Sequence, residues 1–288
     1  MLYQSDYYGI MDMERGLKHH GIKGQKWGVR RFQNPDGTYT EAGKLRRNKL
    51  SDKFDAAEKA VLATSSIKTK AIRKEPIDLT EVKQRGNLTD KEAKECADLA
   101  NTIYKQAASI EPRITKSMIS AVSSAGASMY GLEHRLKTPT SIAAKIGADA
   151  KESKSSFLSS ALSLKDTIRY TTISSEEKFV STYNSIKKSL EKSGYKETRC
   201  KNYYDAYKQG RVMHKAVQSV FENQNGDKFE VQFHTPSSQA AKELKLPIYE
   251  ERRKANVRAS RQAELDQEMR DLAEHVKDPK RVMTIWSH

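Results

Sequence analysis

The chain has 288 residues, 36% of them hydrophobic and 31% charged, which is too apolar for a wholly disordered polymer and long enough for one sizeable domain with extensions or two small ones. No apolar run approaches the ~20 residues that cross a bilayer, and the start lacks a basic segment followed by an apolar core, so neither a membrane nor a secreted protein is expected. Lys and Arg number 52 against 37 Asp and Glu, and the net charge of +15 favours a polyanionic partner such as RNA, DNA or nucleotide phosphates. A soluble basic protein with no such partner has the same composition. The two cysteines, Cys96 and Cys200, are too few for a disulfide framework and have no metal-ligand spacing around them.

In chain order, residues 1–43 hold seven of the 14 glycines, with Asn-Pro-Asp-Gly at 34–37, and read as a loop or short hairpin. Residues 1–50 carry ten basic and five acidic side chains. Trp27 and Phe32, set among Lys26, Arg30 and Arg31, suit either stacking on bases or a partner, or stapling this arm to the body. His19 and His20 have no carboxylate or thiol company and are not expected to bind metal. Residues 51–75 read as a polar helix. Thr89 and Glu92 form a capping box, followed by apolar Ala93, Cys96, Ala100, Ile103, Ala107 and Ile110, which places Cys96 in a core rather than at a nucleophilic site. Pro112 is expected to open a second helix with Ile114, Met118, Val122, Ala125, Met129 and Leu132 inward, so that the two pair as an antiparallel hairpin.

Beyond Leu132 the pattern becomes α+β. Thr138-Pro139 caps a short helix through Lys145, and Ser-rich 154–164 reads as a mobile loop. Asp166–Ile173 is a strand by its Ile, Tyr and Thr content, and Ser174 with Glu177 is expected to cap a helix that Gly194 stops. Tyr195–Lys201, Val212–Phe221 and Lys228–Thr235 are further strands, the last two joined by a turn at 222–226. Pro247 to about Val276 reads as a charged helix.

Period-two alternation in Lys228–Thr235 puts Phe229, Val231 and Phe233 on one face and Glu230, Gln232 and His234 on the other. The polar row is either a solvated face or a site. Arg135 and Lys137 precede a helix that presents Ser141 and Lys145 one turn apart, a set suited to an oligophosphate. Asp166, with Arg169 three residues on, and Glu230 on another strand are the carboxylates that an ion bridging nucleotide phosphates requires. The plain alternatives are an Asp166–Arg169 surface ion pair and a solvated Lys145.

The runs RLKTPTSIAAKI, LKDTIRYT and KFEVQFHT, in that order, resemble the synthetase domain of the RelA/SpoT family, and within it the divergent modules at the ends of bacterial and phage toxin proteins. The likeness spans roughly residues 110–255. It implies a pyrophosphokinase that moves the β,γ-pyrophosphate of ATP to a 3′-hydroxyl of a guanine nucleotide, an adenine nucleotide or tRNA. It further implies that Arg135, Lys137 and Lys145, with Ser141, hold the donor phosphates. Asp166 and Glu230 would ligate Mg²⁺ or Mn²⁺, with Glu230 alternatively helping to deprotonate the hydroxyl, and Arg169 would be the basic residue after the metal Asp. Acceptor binding falls to His214, Lys215, Gln218, Gln232 and His234, where the sequence departs from the family. His214-Lys215-Ala216-Val217-Gln218 stands in place of a Tyr-led motif, and His234 where long synthetases carry Arg.

The stretch HHGIKGQKWGVRRFQNPDG resembles a segment near the start of proteins encoded beside phage head genes of Gram-positive bacteria, which implies a structural or packaging partner through residues 18–33. The expected architecture is α+β, a mixed sheet of about four to five strands flanked by helices, preceded by a helical hairpin and a Gly-rich basic arm. The expected divisions are an arm at 1–50, a helical region at 51–110, the synthetase-like domain at 111–255 and a charged helix and tail at 256–288. Two functions follow: a phage- or prophage-encoded toxin or alarmone producer, or a non-catalytic virion-associated or RNA-binding protein on a degenerate synthetase fold. Either would act in the bacterial host cytoplasm or with the virion.

Overall fold

The computed structural model describes Asn34 and residues 38–67, 75–252 and 257–288; the Gly-rich segment with Trp27 and Phe32 lies outside the described residues. Helix α1 (Glu41–Thr64) starts where the Thr40 hydroxyl accepts from the Gly43 amide, and it runs ten residues earlier than the polar pattern predicts. Short α2 (Leu79–Gly86), capped by Asp78, was not foreseen. No helix among the described residues is long and apolar enough to cross a membrane.

The capping box at Thr89 and Glu92 forms as expected, but the hairpin does not. Instead a single helix α3 (Asp90–Ser124) runs straight through Pro112. Proline removes one N–H and usually ends a helix. Here the side chains before and after it are committed to one body: Ala107 and Ile114 belong to the same apolar core. Packing on both sides of the missing hydrogen bond outweighs its loss. Met129 and Leu132 accordingly leave the helix, Met129 for β1 (Ser128–Tyr130) and Leu132 for a 3-10 turn (Leu132–His134).

Helix α4 (Pro139–Ser153) extends well past Lys145. A Cβ on its Gly147 would sit 2.5 Å from Leu88, so the missing side chain lets the turn between α2 and α3 seat against α4. The Ser-rich stretch is not a loop but α5 (Phe157–Ser163), with Ser156 as its cap. Strand β2 (Arg169–Ile173) then enters the sheet, followed by α6 (Phe179–Lys192). Ser174 does not cap α6, which starts at Phe179 with Lys178 in the cap position; the Ser174 amide instead extends the β2 pairing by donating to the His234 carbonyl. Strand β3 (Lys196–Asn202), α7 (Tyr203–Lys208), β4 (Val217–Glu222) and β5 (Lys228–His234) complete the sheet. Gly226, at φ +81°, supplies the left-handed turn between β4 and β5. Two helices, α8 (Pro236–Arg252) and α9 (Ala259–Glu274), replace the one charged helix expected near the end.

The sheet is mixed and five-stranded, in the order β1-β2-β5-β4-β3, with only β2 and β5 parallel, as the α+β reading expects. One face carries Tyr170, Val217, Phe221, Phe229, Val231 and Phe233, buried against Ile114, Met118 and Val122 of α3 and Phe179, Tyr183 and Ile186 of α6. The other face presents Arg169, Gln218, Glu230, Gln232 and His234, all buried rather than solvated. Ile142, Ala143 and Ile146 of α4 bury against Ala93, Cys96 and Ala100 of α3 in a separate apolar cluster. Cys96 is core, its thiol pushed up to about 11, chiefly by burial.

A buried ion pair joins α3 to the sheet. Glu111 accepts from the Arg135 Nε and from the Thr115 hydroxyl, and Thr115 shares a hydrogen bond of 2.7 Å with the Tyr170 hydroxyl. The side chains of Arg135 and Glu111 are 7% and 5% exposed, so each needs the other. Glu111→Leu should lower the unfolding free energy by about 3–5 kcal/mol, and adding Arg135→Met should restore most of it. Denaturant titration of the three proteins measures this; equal stability of the single and double variants would refute it.

Candidate functional site

The segment from Arg135 to Lys137 lies antiparallel to the start of β2. Leu136 bridges Ile168, the Lys137 amide donates to the Thr167 carbonyl at 2.9 Å, and the Arg169 amide donates to the Arg135 carbonyl at 2.7 Å. This pairing carries Lys137 to Asp166, which sits in the coil just before β2. Lys145 reaches the same carboxylate from the second turn of α4. Its Nζ lies 3.2 and 3.1 Å from the two Asp166 oxygens, and that of Lys137 lies 3.4 Å from Oδ2. Ser141 is buried one turn ahead of Lys145, its amide held by the Thr138 hydroxyl that caps the helix. Lys145 is thus neither solvated nor idle, and Asp166 pairs with the two lysines rather than forming the Arg169 surface pair.

Arg135 does not join them. It closes the 3-10 turn in helical conformation, φ −65° and ψ −23°. Its guanidinium instead meets Glu111 and the Leu132 carbonyl. The structure thus commits Arg135 to Glu111 and the Leu132 carbonyl, whereas Lys137 and Lys145 meet at Asp166.

Across the sheet, Arg169 of β2 stands in register with Glu230 of β5, and Gln232 with Gln218 of β4. The Gln232 amide donates to Glu230 Oε1 at 2.7 Å. Lys242, from α8, donates to Gln232 Oε1 at 2.7 Å, and His234 shares a hydrogen bond of 2.8 Å with Ser238. The Nη1 of Arg169 and the Nε2 of Gln218 are buried without a hydrogen-bond partner. Unmet donors in a dry, cation-rich face are what an anionic ligand satisfies.

Of the expected acceptor residues, Gln218, Gln232 and His234 share this face. His214 lies in the loop before β4, not on a strand, and its ring is covered by Tyr203 at a centroid distance of 4.2 Å. Lys215 is drawn elsewhere, to the Val276 carbonyl at 2.8 Å and to Asp278 at 2.9 Å. Lys215 thus ties the loop before β4 to the C-terminal segment.

The electrostatics follow from burial. Burial alone would raise the pKa of Asp166, but Lys137, Lys145 and Arg169 overcome it and hold the carboxyl well below the usual range. Burial brings Lys137 down to about 7 against the pull of Asp166, with Lys145, Arg169 and Arg85 adding to the fall. For Lys145 the desolvation is outweighed by Asp166, Asp149 and Glu230, so its pKa rises. Burial also brings Lys242 and Lys245 to about 7 and keeps His214 and His234 neutral. Lys242, Lys245, Glu111 and Asp149 were not singled out from the sequence. Pro236-Ser237-Ser238 after a strand, with lysines three apart behind it, was the available signal for the first two.

The donor set can be tested against a divalent cation. Among the described residues no three His, Cys, Asp or Glu side chains group as a metal cage. Asp166 and Glu230 are hard oxygen donors, and the charge of each raises the proton affinity of Lys145. Mg²⁺ is commonly held by one or two carboxylates, with phosphate oxygens and water filling the rest, and the residues present fit that mode.

No family model matches the chain, and no curated protein matches it in sequence. Among solved structures it is similar to the type VI effector Tas1, crystallised with its immunity protein, at 15% identity and a TM-score of 0.41 over 61% of this chain and 94% of that one. It is also similar to small alarmone synthetase 1 from Bacillus subtilis bound to its product pppGpp, at 12% identity and a TM-score of 0.34 over 45% and 67%. Neither superposition is close enough to carry a functional argument.

With Lys137 brought to about 7, a polyanion bound at about pH 8 should restore its positive charge. Binding of inorganic tripolyphosphate should therefore take up protons, and less so near pH 6. Calorimetry in two buffers of different ionisation enthalpy reads the uptake, and a heat independent of buffer would contradict it.

Proposed function

We propose that the protein is a RelA/SpoT-like pyrophosphokinase, transferring the β,γ-pyrophosphate of ATP to the 3′-hydroxyl of a nucleotide or tRNA, and that it serves a phage or prophage as a toxin or alarmone producer. The observation that carries this reading is the pairing of Lys137 and Lys145 with the buried Asp166 carboxylate, immediately ahead of the strand on which Arg169 stands in register with Glu230. Pyrophosphoryl transfer asks little covalent chemistry of a protein. It asks for alignment of donor and acceptor and for fixed positive charge around the transferring group.

In this reading Lys137 and Lys145 turn from Asp166 to the phosphate oxygens of the donor, and Arg169, with its unmet Nη1, takes another. Asp166 and Glu230 would hold a Mg²⁺ or Mn²⁺ ion, which supplies charge neutralisation on the phosphates. Glu230 is alternatively the base that accepts the proton of the attacking hydroxyl. Burial of the cluster strengthens each of these interactions by excluding water. His234, kept neutral, adds no further charge beside Gln232.

A second reading has its own observation: the Tyr203 ring already covers His214, and Lys215 faces away, so the acceptor platform that the family resemblance implies is not assembled. A non-catalytic virion-associated or RNA-binding protein would use the same basic scaffold. The segment resembling phage head-region proteins, residues 18–33, is proposed as its docking arm and lies outside the described residues.

The decisive measurement incubates the protein with γ-labelled ATP, Mg²⁺ and, in turn, GDP, GTP, ADP, ATP and bulk tRNA. Label should pass to one acceptor, and Glu230→Gln should reduce the rate by about 10²–10⁴-fold or more. Undiminished transfer by that variant would remove Glu230 from the chemistry. Absence of any product, together with RNA affinity that falls steeply with salt, would select the second reading.

A further inference from the structure

Lys242 belongs to none of the sequence motifs, yet it is buried at 3% exposure with its ammonium against the polar face of the sheet. Its Nζ is 2.7 Å from Gln232 Oε1, and Gln232 Nε2 is 2.7 Å from Glu230 Oε1. All three side chains are buried.

An ammonium group has three donors and no acceptor, whereas an amide has one accepting end and one donating end. A carboxylate only accepts. With Lys242 on one side and Glu230 on the other, Gln232 has a single productive orientation: oxygen to the lysine, nitrogen to the carboxylate. Leu or Met at 242 would remove one of the two groups that disfavour the flipped amide and leave the buried Gln232 Oε1 without its donor. Arg169, in register with Glu230 on the neighbouring strand, supplies the cation on the other flank.

We propose that Lys242 is a positioning residue for Glu230, acting through the fixed amide of Gln232. The inference rests on the reading of Glu230 as the functional carboxylate. It assigns to α8, which carries no family motif, the task of orienting a group on β5. Burial and Arg169 lower the proton affinity of Lys242, while the charges of Glu243 and Glu230 act in the opposite sense and favour the ammonium.

The test compares Lys242→Met, Gln232→Leu, the double variant and Lys242→Arg in the full chain, each checked for an unchanged fold by circular dichroism. Lys242→Met should lower kcat by about 10–100-fold with KM for ATP unchanged, as loss of an outer supporting partner does. Lys242→Arg, which keeps a donor-only head group, should recover part of it. The double variant should lose no more than the worse single one, because both act through one chain of bonds. Multiplying losses, or a raised KM with kcat unchanged, would show Lys242 touching substrate itself and overturn the proposal. Side-chain amide NMR gives a readout independent of turnover, and so separates this inference from the enzymatic reading even if the wild-type chain transfers nothing. The Gln232 amide protons should exchange slowly in the wild type and Lys242→Arg and rapidly in Lys242→Met. Equal exchange in all three would overturn it.

Discussion

A carboxylate buried between two lysines holds this molecule's site together. Asp166 receives Lys145 from α4 and Lys137 from the segment bridged to β2, and all three would be costly to bury alone. The same contact docks the front of α4 against the coil that leads into β2. Fold and site are joined at one interaction, so the strength of that clasp sets how readily an incoming anion can take the lysines over.

The polar side of the sheet would be unremarkable if it faced water. It faces helices instead, and this changes its meaning. Arg169, Lys137, Lys242 and Lys245 are buried, as are Asp166 and Glu230, and Lys145 is partly so. Desolvation lowers the proton affinity of Lys137, Lys242 and Lys245 together, while Arg169 and Gln218 keep donors unmet. Such an arrangement is less stable than an apolar filling would be, and proteins keep such strain where a ligand relieves it. Under the proposed function, a polyphosphate is the ligand whose charge and acceptor oxygens would match.

Much of the frame was legible because it is local. The alternation of Phe229, Val231 and Phe233 with Glu230, Gln232 and His234 needs only the period of a strand, and the structure keeps it. The cap at Thr89 and the turn ending at Gly226 follow from side-chain chemistry within a few residues. Pro112 misled for the complementary reason. Its local preference is to begin a helix, and only the shared burial of Ala107 and Ile114 carries α3 through it. Ser174 misled likewise: its amide extends the β2 pairing to His234, a residue distant in the chain, and α6 starts only at Phe179.

The amino-acid sequence by itself determined the faces of the strands, the helix starts at Thr89 and Thr138 and the presence of basic and acidic groups suited to phosphate, because each depends on periodicity or near neighbours. Tertiary structure decided which charge meets which. Arg135 and Lys137 are two residues apart, yet one goes to Glu111 and the other to Asp166. Lys242 came to stand behind Glu230 only when α8 folded back over β5. A side chain's direction depends on backbone angles and on partners far along the chain, and no spacing rule encodes either.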